Sequence, residues 1–154
     1  MTEEDLYHDY KLLVKMKVGN AKKVRLLSDL LGEAENPWRI VGITHEALKV
    51  FKNHGFKKVS KMGINRSHIK PRNQTYSFML ENNFANSKEW WNYHFENDMT
   101  ILSTSSENLK SMNSEIIDID PSLNLFKCRG FGWAHGKKEI LFLEKLHSEK
   151  IINS

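Results

Sequence analysis

The sequence predicts an α+β fold, with a helix-rich N-terminal half packed on a C-terminal antiparallel sheet of three to five strands. Two observations carry that reading. Outside residues 57–72, apolar residues recur every three to four positions as far as Phe95, and the period falls toward two from Met99 onward. Helices therefore come first and strands last, with short connections between them, which is the order of an α+β chain.

Leu6, Tyr10, Leu13 and Lys17 are spaced i, i+4, i+7, i+11, and an acidic first turn suits the positive end of that helix. Gly19-Asn20 breaks it. Asn20 caps a second helix, whose stripe is Val24, Leu27, Leu30 and Leu31 and whose stop is Gly32. Asn36-Pro37 is a turn, and residues 38–43 form a short strand or an extended lead-in. Thr44 is the N-cap of a third helix that buries Ala47, Leu48 and Phe51, with Gly55-Phe56 as a Schellman-type stop.

Residues 57–72 have no helical period and read as strand and loop, with Pro71 pushing Lys70 into an extended conformation. A short helix starts near Asn73. Ser87 caps another, in which Trp91 and Phe95 face the core and Trp90 covers an edge of the sheet. The strands expected beyond it are 99–102, 115–119, 123–126 and 140–143, the last two joined by a hairpin turn at 134–137.

The chain is 40% hydrophobic, with four Trp, four Tyr and eight Phe, enough to bury a core. The absence of repeats and of Gly/Ser/Pro-rich linkers predicts one domain over 1–154, frayed near 1–4 and 148–154. No apolar run approaches the roughly 18 residues of a membrane span. The acidic N-terminus is unlike a signal peptide, and Cys128 has no second cysteine to bridge, so a reducing cytoplasmic location is expected.

A net charge of +4 hides a strong segregation. Residues 47–80 contain no acid and carry Lys49, Lys52, Lys57, Lys58, Lys61, Arg66, Lys70 and Arg72, a local +8 that leaves −4 on the rest. Such segregation implies an anionic partner, RNA or DNA, more than an even +4 would, the bland reading being a solvated basic face with no partner. The alternative is a non-enzymatic module whose basic face docks on an acidic protein or on a second copy of the chain.

Metal and cofactor motifs are missing. Seven histidines and one cysteine give no zinc spacing, and Asp118 with Asp120 reads as solvated acids alternating with buried Ile117 and Ile119. Gly130-Phe131-Gly132 is not a dinucleotide fingerprint, and there is no P-loop. Cys128 lies among strand residues with no activating base beside it and reads as core. No cofactor and no metal are expected.

The segment 65–75 remains. If it is extended, Arg66, His68 and Lys70 share one face by period two. Metal-free RNA cleavage needs a proton acceptor for the 2′-hydroxyl and cations for the charge on the phosphorane. His68 is the candidate acid or base, and Arg66 and Arg72 are the candidate phosphate clamp. Lys57, Lys58, Lys61 and Lys70 would bind the polymer backbone, with Trp90 as a stacking platform. Many surface loops are basic and contain a histidine, so the bland alternative for this segment is a structural loop.

Overall fold

The computed structural model describes residues 1–108, 114–130 and 132–152. They form an α+β structure divided into two compact units, each assembled from separated stretches of chain.

The first unit takes Met1–Arg39, His68–Met99 and Cys128–Gly132. Its helices are α1 (Glu3–Lys15), α2 (Asn20–Gly32), α4 (Arg72–Glu81) and α5 (Ser87–Asn97). Thr2 and Asp5 close a capping box at the start of α1, where three acids also meet the helix dipole. The N-cap of α2 is Gly19, with Asn20 the first helical residue, and α5 is capped by Asn86, whose side chain accepts from the Glu89 N–H at 2.9 Å. Leu6, Tyr10 and Leu13 of α1, Leu27 and Leu31 of α2, Tyr76 and Met79 of α4, and Trp90 of α5 make one buried cluster.

The inward face of α5 therefore differs from the one expected. Ser87, Trp90 and His94 are buried, whereas Trp91 and Phe95 are half-buried. Adjacent tryptophans point about 100° apart on a helix, and the aromatic surface offered by α1 decides between them. The Trp90 ring lies 5.1 Å from that of Tyr10 and 5.7 Å from that of Tyr7.

The second unit takes Ile40–Ser67, Thr100–Lys127 and Trp133–Ser154. It contains β1 (Ile40–Thr44), α3 (His45–Asn53), most of β2 (Ile64–His68), β3 (Thr100–Thr104), α6 (Ser105–Asn108), β4 (Ile116–Asp118) and α7 (Lys137–Ile152). The sheet order is β2-β3-β1-β4. β1 runs parallel to β3, with Ile43 opposite Leu102, and antiparallel to β4, with Ile43 opposite Ile117. Gly42 is required in the middle strand, because a Cβ there would stand 2.7 Å from Ile116 Cγ2 and 3.2 Å from the Ile117 carbonyl. β5 (Cys128–Arg129) and β6 (Gly132–Trp133) form a separate two-stranded ribbon.

The third helix has the expected ends. The Thr44 hydroxyl accepts from the Ala47 N–H at 3.1 Å. Phe56 and Gly55 donate back to the Phe51 and Lys52 carbonyls, as a Schellman stop requires.

Three expectations are corrected. The sheet is mixed, with a parallel pair at its centre, and β1 and β2 bring N-terminal residues into it, so it is neither antiparallel throughout nor C-terminal. Residues 123–126 are not a strand: a 3-10 turn at Pro121–Leu123 is followed by Asn124 at φ 57° and Phe126 at φ 52°, both outside the β region. Residues 140–143 belong to α7, so the hairpin expected at 134–137 has no second strand to join. A continuous apolar run does not distinguish a strand from a buried helix. The deciding signal is Glu139, whose side chain reaches back to the Gly136 N–H at 2.8 Å as the third residue of a helix does.

Candidate active site

Within the first unit, polar side chains converge on Asp98. The residue ends α5 as its C-cap and is 1% exposed. Just after β2, the Ile69 N–H donates to the Met99 carbonyl at 3.0 Å, which lays His68 alongside Asp98. His68 Nδ1 is 2.5 Å from Asp98 Oδ1. The other carboxylate oxygen accepts the Trp38 indole N–H and the Tyr76 hydroxyl, each at 2.6 Å. His94, one helical turn before Asp98, is turned away from it. Its Nε2 donates to the Pro37 carbonyl at 2.6 Å, and its Nδ1 lies 3.8 Å from Asp98 Oδ2, beyond hydrogen-bonding range.

These partners shift the protonation of the buried groups. Burial opposes the charge of Asp98, but the hydrogen bond and charge of His68, with the Tyr76 hydroxyl, hold its carboxyl below the usual aspartate value. Burial pushes His94 down, so its ring stays neutral, and burial next to the Asp98 charge pushes the Tyr76 hydroxyl up, so it remains a donor. An ionised carboxylate only accepts, so His68 Nδ1 carries the proton of this bond, and Nε2 is the second ring nitrogen. That nitrogen meets no hydrogen-bonding partner among the described residues, and the side chain is 21% exposed. The Trp38 ring stands edge-on to it, with centroids 6.3 Å apart and planes at 88°. The arrangement is an imidazole at the surface, oriented by a buried carboxylate that is itself held by two further donors.

The other residues named from sequence are dispersed. Arg66 stands on β2 two residues before His68 and is half-buried. Lys70 lies past the end of β2, so the continuous face expected of Arg66, His68 and Lys70 stops at His68. Arg72 opens α4, and its Nη1 donates to the buried Ser28 hydroxyl of α2 at 2.9 Å. It does not hydrogen-bond to His68, although its charge acts on the Tyr76 hydroxyl. Trp90 is fully buried and has no face to offer a base, which corrects its assignment as a stacking platform.

In the second unit Lys57, Lys58 and Lys61 are exposed. Lys58 and Lys61 line a shallow groove with Asn65, Ser105 and Trp133, and Lys58 Nζ sits 3.8 Å from the centroid of the Trp133 ring. Lys61 holds φ 58°, which is uncommon for a non-glycine residue.

Sequence reasoning missed Asp98, Trp38, Tyr76 and His94. The only local trace was the i, i+4 spacing of His94 and Asp98 at the end of a helix. Among the described residues no three His, Cys, Asp or Glu side chains gather as a metal site, and no helix is long and apolar enough to cross a membrane. Comparison with protein-family models, curated proteins and solved structures yields no match.

Proposed function

We propose that the chain binds RNA and cleaves it without a metal, with His68 as the proton-transfer residue. The observation that supports this is the His68–Asp98 pair, which leaves Nε2 of an oriented imidazole open at the surface. His68 Nε2 takes the proton of a ribose 2′-hydroxyl as its oxygen attacks the adjacent phosphorus. The bond to the 5′-oxygen breaks, that oxygen takes a proton from water, and the imidazolium returns its own proton to solvent. The products are a 2′,3′-cyclic phosphate and a 5′-hydroxyl. Asp98 is a positioning residue that fixes the tautomer and faces the cation as it forms. Lys57, Lys58 and Lys61 supply strand affinity through backbone charge.

The test is a single-stranded RNA oligomer incubated with the protein in excess chelator, with products resolved by end group. Cyclic-phosphate ends are expected, and His68→Ala should lose about 10²–10⁴-fold of the rate while retaining binding. Reversing Lys57, Lys58 and Lys61 to Glu should flatten the salt dependence of binding by about 0.7 for each phosphate no longer neutralised. Absence of wild-type cleavage, or full activity in His68→Ala with native melting, overturns the catalytic reading.

A further inference from the structure

We infer that the groove between α2 and α4 of the first unit is a phosphate-binding site. Asn20 and Arg25 line one wall, and Arg72, Asn73 and Ser77 the other. No Asp or Glu is among the described residues that line it. Arg25 is exposed, and its guanidinium pairs with no described residue, including Asp29 one turn further along α2. Arg72 is pinned from behind: Nη1 is occupied by Ser28, while Nη2 and Nε donate to no described residue. At the rim, Asn20 Nδ2 donates to Ser77 Oγ at 3.2 Å. A hydroxyl that accepts in this way still has its own O–H to give.

The groove thus presents two guanidinium groups, amides and a hydroxyl, all with unused donors, and no anion of its own among the described residues. Side chains so arranged suit a ligand that only accepts, carries negative charge and offers several oxygens, which is the chemistry of a phosphoryl group. Lys22 and Arg25 also line an adjoining depression on α2, which extends the positive face. The ligand has two possible sources, a free phosphate and a backbone phosphate of a polynucleotide. The groove stands on residues that the proposed cleavage at His68 does not use, so the two readings can fail separately.

The experiment is an amide-resolved NMR titration with inorganic phosphate, with no RNA present. Saturable shifts are expected at Ala21, Asn73, Ser77 and the Asn20 side-chain amide. Arg25→Ala should weaken binding about 10–100-fold, as loss of a charge-assisted hydrogen bond does, and Arg25→Lys should restore part. Because Arg25 is exposed and unpaired, both variants should melt like the wild type. Phosphate that produces no saturable shift, or binds Arg25→Ala as tightly as wild type, overturns the proposal. A second arm uses a deoxyribose oligomer, which lacks the 2′-hydroxyl and cannot be cleaved by the route above. Weaker binding of the oligomer by Arg25→Ala assigns the groove to the polynucleotide backbone, and indifference to that substitution, with phosphate binding still lost, assigns it to a free phosphate.

Discussion

Asp98 keeps its charge in a place where burial alone would remove it, and the three donors around it are the reason. Each replaces part of the hydration lost on folding, and a hydrogen bond to a charged group contributes more than a neutral one. Tyr76 is the donor that can be removed with least change of shape. Tyr76→Phe should cost about 1.5–3 kcal/mol in urea denaturation, since the buried carboxylate loses an O–H donor. A cost under about 0.5 kcal/mol, the range of a neutral surface change, would mean that the Trp38 and His68 bonds suffice. His68 could be singled out from sequence because a histidine among cations is conspicuous. Its partner could not, because Asp98 is thirty residues away and its i, i+4 spacing from His94 does not mark an acid that will be buried. Trp90 and Trp91 differ by one position, and only the aromatic face of α1 decides which of them is core.

At the level of elements, what could be read was what the chain punctuates locally. Thr44 and Gly55 mark helix ends through backbone chemistry that needs no distant partner, whereas Gly32 is the last helical residue of α2, which is capped by Glu33 in a right-handed conformation. Strand pairing has no such marker: a parallel central pair follows from where β3 returns, and the sequences of β1 and β3 alone fit either direction. The run at 140–143 failed for a different reason, since four consecutive apolar residues satisfy both periods. Its two assignments make opposite forecasts. On a strand Leu141 and Leu143 share a face, whereas on α7 Leu143 is fully buried and Leu141 is 54% exposed. Leu143→Ala should therefore cost about 2–5 kcal/mol. Leu141→Ala should stay within about 0.5 kcal/mol of the wild type in the same denaturation experiment. Equal losses would restore the strand.

For the molecule as a whole, two buried groups of the first unit contribute to the response to acid. His94 is held below its ordinary 6.5, so the folded state refuses a proton that the unfolded chain accepts. Its contribution is complete above that value and is lost as pH falls beneath it toward the folded-state value. Asp98 is held below its ordinary 3.8, so its contribution is present above that value and fades as pH falls further. Melting temperature should drop between pH 7 and pH 5, and His94→Gln should flatten that slope while keeping a donor toward Pro37. His135 and His147, also lowered by burial, leave a residual slope in the variant. An unchanged slope would mean that His94 has no part in the acid response. The parallel pairing of β1 with β3 bears on how the chain is made. Ile40 emerges during synthesis long before Thr100, its register partner. At about 5–20 residues per second that interval lasts about 3–12 s. Throughout it the apolar strand Ile-Val-Gly-Ile-Thr has no neighbour with which to pair. Slower translation, which helps many nascent chains to fold in order, lengthens the exposure of this one.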